Sequence, residues 1–351
     1  MIGVGVVGCN YGRSVLVPAF RTDPRCEVVA LAGSDAARTA DYARAANVAR
    51  GVGDWRALVD DRSVDVVAIA VPPDLQPEVA RRALERGKAV FVEKPLAADL
   101  AGAQAVLDAA RRSGRPSIMD FNYPELPSWQ RARELLGTIG RLRHVVVTWN
   151  VENLATRLRI ESWKTRSAGG GILANFVSHS FHYLEWLCGP IAGLGAHVFP
   201  MPGRATEGNV ALALAFASGA SGSLQMSSAS FLGSGHRLEF YGDEGTVALI
   251  NPTADYFRGF ELRYAQRGQV TQELEALARV VVEDFGSEHI PEVRIVPVAR
   301  LVRRFLDACE GGGVASPGIA EGYRVQCLID AARRAHASRG WIDVPAPEAV
   351  A

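Results

Sequence analysis

The sequence predicts an α/β protein in two parts: a doubly wound parallel sheet over residues 1–122, then an α+β domain over 123–351 built on an open, mostly antiparallel or mixed sheet. Three observations predict it. Up to about residue 120, short runs of continuous Val, Ile and Ala alternate with amphipathic helical patterns, as strands buried on both faces require. After Asn122 the runs lengthen, begin to alternate in polarity and are divided by Gly and Ser turns. Between these regimes lies Ala89-Val-Phe-Val92, a four-residue apolar strand that runs into Glu93-Lys94-Pro95. The proline stops the strand, leaving an acid and a lysine at its carboxyl end, where open parallel sheets bind ligands.

Strands are expected at Ile2–Val7, Val28–Ala32, Val64–Val71 and Ala89–Val92. Beyond Val71, the residues Val79, Ala80, Ala83 and Leu84 share one helical face, Arg81, Arg82, Glu85 and Arg86 take the other, and Gly87 supplies the stop. Asp99 caps a further helix with Leu100, Ala103, Val106, Leu107 and Ala110 inward, ending at Ser113-Gly114. In the second part, Pro124 and Pro127 precede a helix over Trp129–Leu136. Strands follow at Leu142–Asn150, Gly195–Phe199, Val210–Phe216, Ser223–Met226, Leu238–Tyr241 and Thr246–Ile250. The triplet Gly169-Gly170-Gly171 opens a helix over Ile172–Leu187, and helices over Val298–Cys309 and Glu321–Ala337 are expected to close the second domain.

Thirty-eight basic residues balance 38 acidic ones without a basic block, which argues against nucleic-acid and membrane-surface roles. Five scattered cysteines form no C-x-x-C pair and read as reduced thiols. The start, Met-Ile-Gly-Val-Gly, lacks the basic leader and long apolar core of a signal peptide, and no run is long enough to span a bilayer, so a cytoplasmic location is expected.

Gly8-x-Asn10-x-Gly12 follows the first strand and is read as a phosphate-binding turn. Gly8 makes the bend, Asn10 takes a left-handed conformation, and Gly12 opens the helix whose free N–H groups hold a pyrophosphate. The second strand ends at Gly33-Ser34-Asp35, with Arg38 one turn on. The absence of an acid at Gly33 leans the cofactor from NAD to NADP, although Asp35 could hold the ribose of NAD. Val71-Pro72-Pro73 forms a rigid loop at the same sheet edge, placed to cover a nicotinamide ring.

With Glu93-Lys94-Pro95, Phe121-Asn122-Tyr123, and the run from Gly169 to His179, these motifs resemble the glucose–fructose oxidoreductase/inositol dehydrogenase (Gfo/Idh/MocA) family in order and spacing. The resemblance implies a Rossmann domain followed by a sheet domain that assembles homo-oligomers, dimers or tetramers, through its sheet. It also implies hydride transfer between a nicotinamide and a sugar, polyol, keto-sugar or nucleotide-linked sugar. Carried over, Lys94 lies at the substrate oxygen and His179 is the acid–base group. Cofactor contacts are expected from Gly8, Asn10, Tyr11, Gly12, Ser34, Asp35, Arg38, Val71, Pro72, Gln76, Glu93, Lys94 and Asn122. Substrate contacts are expected from Tyr123, Trp163, Lys164, Asn175 and His182. Three positions depart from the family pattern: Asn175 replaces an Asp, His182 stands where another Asp is common, and Gln76 replaces a His. Asn175 cannot carry a proton but can hydrogen-bond a hydroxyl or orient His179 one turn away.

His179, His182 and Glu185 recur every third residue but lack the spacing of a metal site, and no metal is expected; His182 and Glu185 read as polar residues on a partly exposed helix. A carbonyl that accepts hydride becomes an alkoxide, which needs a cation or donor and a proton source. Lys94 offers both, and His179 titrates near neutrality. The expectation is that amine and imidazole meet over one nicotinamide ring. The competing readings are a non-catalytic dinucleotide-binding regulator, and a redox-cycling glycosidase or lyase with tightly held NAD.

Overall fold

A computed structural model of the chain describes all residues except 159, 161–162, 166–168, 202–205, 269–276, 286–291 and 348–351. Six short strands pair in parallel: β1 (Ile2–Val7), β2 (Cys26–Ala32), β3 (Arg50–Val52), β4 (Val66–Ile69), β5 (Ala89–Val92) and β6 (Ser117–Met119). Their order, β3-β2-β1-β4-β5-β6, reverses direction of growth at β1, as a doubly wound fold does. β4 and β5 are buried at every residue, which explains their unbroken apolar sequences. The three-residue strands β3 and β6 are too short to show a periodicity and were not anticipated.

This sheet belongs to a unit made of Met1–Asn122 and His289–Gln326. The helix Ile295–Cys309 therefore packs on the first sheet, not in the second domain where it was expected. Its Val298, Leu301, Val302, Phe305 and Leu306 are fully buried in one cluster with Val4, Phe20, Phe91 and Ile118. Phe91 of β5 meets Phe20 at 5.6 Å and Phe305 at 6.0 Å, both edge-on. Each such ring contributes about 1.5–3 kcal/mol through burial. The amphipathic stripe predicts the helix, but nothing in it says which sheet the stripe covers.

The second unit, Tyr123–Glu288 with Cys327–Ala351, holds a nine-stranded sheet. Its strands are β7 (Leu142–Asn150), β8 (Ile191–Pro200), β9 (Glu207–Phe216), β10 (Ser221–Ser227), β11 (Gly235–Gly242), β12 (Gly245–Asn251), β13 (Glu261–Gln266), β14 (Ala278–Val280) and β15 (Trp341–Asp343). Their order is β14-β13-β12-β11-β7-β10-β9-β8-β15. Only the β7–β10 pair is parallel, so the sheet is mixed and mostly antiparallel. Alternation decides its faces: Val210, Leu212, Leu214 and Phe216 of β9 point inward, while Ala211 and Ala213 face out. The long helix Ile319–Ser338 begins in the first unit and ends in the second. Among the described residues no helix is long and apolar enough to cross a membrane.

Candidate active site

In the first unit, the strand ends are aligned by a row of backbone hydrogen bonds. Gly8 donates to Ala32 O, Ala70 to Val7 O, Glu93 to Ile69 O and Asp120 to Val92 O, at 2.8–2.9 Å. The residues following β1, β4, β5 and β6 therefore emerge side by side along one carboxyl edge. Gly8 has φ +122°, and a Cβ there would lie 2.2 Å from Ala70 O, so the bend requires glycine. Asn10 does not take the left-handed conformation expected of it, because Gly8 already supplies the one reversal and the chain turns directly into a helix. That helix opens with a π-type turn at Gly12–Leu16, where a Cβ on Gly12 would press within 2.9 Å of Val6. A close backbone bend leading into a helix start fits a dinucleotide pyrophosphate.

At the tip of β2, a side chain on Gly33 would strike Thr39 and Cys9 at 2.5–2.6 Å, which accounts for the missing acid. Asp35 caps the next helix, accepting from Arg38 N at 2.9 Å, and Ser34, Asp35 and Arg38 are all exposed. Val71 and Pro72 are half-buried beyond β4. Gln76 is 1% exposed, and its Nε2 donates to the carbonyls of Glu93, Pro95 (2.6 Å) and Leu96 (3.4 Å). Its amide is thus committed to holding the loop that carries Lys94.

Lys94 is partly exposed, so its amine keeps a route to a ligand, yet the protein atoms around it push its pKa below the ordinary lysine value. The charges of Glu93 and Asp120 work the other way. Glu93 Oε2 accepts from Lys94 N at 2.6 Å. Asp120 is fully buried: its Oδ2 accepts from Tyr11 Oη at 2.8 Å, and its Oδ1 has no hydrogen-bond partner among the described residues. Burial, then the Glu93 charge, raise the Asp120 pKa well above the usual carboxylate range. Arg294 lies 5.1 Å over the Tyr11 ring and forks onto Glu292 at 2.6 and 2.7 Å, which holds that carboxylate below its ordinary pKa. Asn122, two residues past Asp120, is buried with its Oδ1 likewise unpartnered among the described residues.

In the second unit, Gly169 and Gly171 both have positive φ, and a Cβ on Gly171 would collide with Glu207 Oε2 at 1.7 Å. The chain then enters a π-type turn, Leu173–Val177, before the helix Ser178–Cys188. Such turns are frequent at functional positions. Asn175 lies in the π turn, its Nδ2 donating to Gly171 O at 2.8 Å, with a longer 3.5 Å approach to Lys164 O. His179 follows one turn later, partly exposed, with its ring 5.2 Å from Tyr123 and edge-on to it. Tyr123 itself is only 2% exposed and stacks on Phe257 at 4.8 Å. His182 is buried, not on a partly exposed face: Phe181, Tyr183 and Leu184 turn inward with it, and burial pushes its pKa down to about 3. Lys164 is exposed, its ammonium 5.6 Å over the half-buried Trp163 ring.

Each unit thus gathers part of the expected set: Gly8, Tyr11, Gly12, Val71, Pro72, Gln76, Glu93, Lys94 and Asn122 in the first; Tyr123, Trp163, Lys164, Asn175, His179 and His182 in the second. Sequence reading missed Asp120, Glu292 and Arg294. Asp120 follows a strand too short to detect, and Arg294 lies 200 residues after Lys94. No group of three or more metal-ligating side chains occurs among the described residues.

Residues 2–121 match the family model of an oxidoreductase family with an NAD-binding Rossmann fold, and residues 129–248 match the GFO/IDH/MocA C-terminal domain. An uncharacterized oxidoreductase of Synechocystis sp. is 30% identical over 97% of this chain and 96% of its own length. Levoglucosan dehydrogenase of Pseudarthrobacter phenanthrenivorans is 28% identical over 92% and 90%. The solved structure of a levoglucosan dehydrogenase in complex with NADH and levoglucosan shares the fold, with a TM-score of 0.86 at 24% identity over 98% of this chain and 99% of that one.

Proposed function

The chain belongs to the Gfo/Idh/MocA oxidoreductase family, and from that premise we propose that it transfers a hydride between a nicotinamide cofactor and a carbon of a sugar-like substrate: a sugar, polyol or keto-sugar. The observation that carries the reading is the alignment of the Gly8 bend and the Lys94 loop along one carboxyl edge of the parallel sheet. The sugar class is supported by the levoglucosan dehydrogenase relative.

The Gly8–Gly12 turn would hold the pyrophosphate, and when bound the nicotinamide supplies or accepts the hydride. Lys94 holds the proton at the reacting oxygen. Its lowered pKa lets it exist as a free amine in alcohol oxidation and return the proton in carbonyl reduction. We assign His179 to the same oxygen as second donor, with Asn175 presenting its amide one turn earlier. Tyr123, Trp163 and Lys164 are assigned to the substrate's remaining hydroxyls. Ser34 and Arg38, exposed beyond the β2 tip while Asp35 serves as a helix cap, suit the 2′-phosphate of NADP. The outward face of the nine-stranded sheet, with small Ala211 and Ala213, supports homo-oligomer formation, which sedimentation would read directly.

The test is a panel of sugars, anhydrosugars and keto-sugars, with levoglucosan first, followed by nicotinamide absorbance with NAD and NADP in parallel. Turnover of at least one member is expected; failure of the protein to bind either cofactor would overturn the assignment.

A further inference from the structure

We propose that Asp120 and Lys94 share a single proton, with Asp120 keeping it in the resting protein so that the Lys94 amine stands as a free base. The proposal rests on the assignment of Lys94 to proton transfer and deepens it. Asp120 acts through Lys94 and is a positioning residue, not one that meets the substrate.

Charge counting inside the first unit leads to it. Three carboxyl groups, Glu93, Asp120 and Glu292, belong to the cluster with two cations, Lys94 and Arg294. Their ionised forms would sum to one net negative charge in a site largely shut off from water, so one added proton neutralises the cluster. Two carboxyls are poor places for it. Glu93 accepts a backbone N–H at 2.6 Å and Glu292 is forked by Arg294, and both arrangements favour the ionised form. Asp120 has one phenol on Oδ2, nothing on Oδ1, and no exposure. The groups that act on it are Tyr11 from the first helix, Glu93 and Lys94 from the β5 loop, and Arg294 from the segment before the helix Ile295–Cys309.

A proton moved from Lys94 to Asp120 converts an ion pair into a neutral acid and a neutral amine without changing the total. In alcohol oxidation the substrate O–H bond breaks and its proton goes to Lys94 Nζ. The C–H bond breaks as hydride, carrying both electrons to the nicotinamide. The pair then holds two protons, and one leaves to water to restore the starting state. Coupled sites of this kind titrate together in two widely separated steps.

Two readouts test the arrangement. The infrared spectrum of the cofactor-free protein at neutral pH should show the carbonyl stretch of a protonated buried carboxyl, absent in Asp120→Asn. Tyr11→Phe, which removes the one donor to Oδ2, should keep the band and move it. If no such band exists, or if it survives in Asp120→Asn, the proposal falls. Should Asp120→Asn not fold, an unmoved band in Tyr11→Phe is the overturning result. For a substrate turned over in the sugar panel, wild-type kcat/KM for oxidation should be flat while the pair holds one proton. Asp120→Asn should break within that plateau, losing about tenfold per pH unit on the acid side while staying near wild type on the alkaline side. An unchanged profile in Asp120→Asn alongside an inactive Lys94→Ala overturns the shared proton alone. An active Lys94→Ala overturns the lysine assignment and the proposal with it.

Discussion

Tyr11 and Asp120 stand 109 positions apart in the chain and meet through one hydrogen bond of 2.8 Å between phenol and carboxylate. The contact joins the helix start after β1 to the end of β6, at opposite sides of the lysine loop in the sheet order. A tyrosine in a phosphate-binding turn thereby becomes part of an acid–base cluster.

Lys94→Ala should reduce turnover by about 10²–10⁴-fold, the usual worth of a positioned proton-transfer group. Cofactor affinity should stay close to wild type, because the Gly8 bend is untouched. Steady-state kinetics with a cofactor-binding titration separates the two, and near-normal turnover would remove the lysine from the reaction.

Gly8→Ala should cost about 1–3 kcal/mol of stability and weaken cofactor binding by more than about tenfold. The added Cβ meets Ala70 O at 2.2 Å in a conformation that L residues avoid. Thermal unfolding and cofactor titration read both effects, and a variant that binds normally would show that the bend is not needed.

Gln76→Ala should lower kcat and cost about 1–3 kcal/mol, since the carbonyls of Glu93 and Pro95 lose a buried donor. Gln76→Glu should be worse than alanine, because it sets a carboxylate against those carbonyls. Equal behaviour of the two in urea melts and kinetics would argue against this tether.

Arg38→Ala should lower kcat/KM with NADPH by about tenfold or more and leave NADH nearly unaffected, as expected for one charge-assisted bond to a phosphate. Equal loss with both cofactors, or none with either, would count against a 2′-phosphate contact at this tip.

Acid should unfold the second unit early. His182 and His236 both titrate at about 3 when folded, against 6.5 for an unperturbed histidine, because each is buried. The folded pKa is depressed, so from pH 6.5 down to about 3 the unfolded chain takes up protons that the native one does not. Stability should fall with decreasing pH by about 1.4 kcal/mol per pH unit for each histidine. Urea midpoints measured from pH 7 to 4 should show that slope, flattened in His182→Gln. His236 is additionally bonded through Nε2 to Tyr183 Oη at 3.0 Å and stacked on Trp149 at 4.1 Å, so its replacement adds a packing loss.

The sequence by itself determined both sheets, the glycine bend, the lysine loop and the glycine-led helix of His179, because each is a local pattern. Continuous apolar strands, a proline after a lysine and paired glycines constrain their own neighbourhood whatever the remainder does. Tertiary structure decided which sheet the helix Ile295–Cys309 covers, that His182 turns inward, and that Gln76 spends its amide on the lysine loop. It also decided the company Lys94 keeps. Asp120, Arg294 and Tyr11 are remote from one another in sequence, and the charge of a buried group depends on neighbours that only folding brings within range.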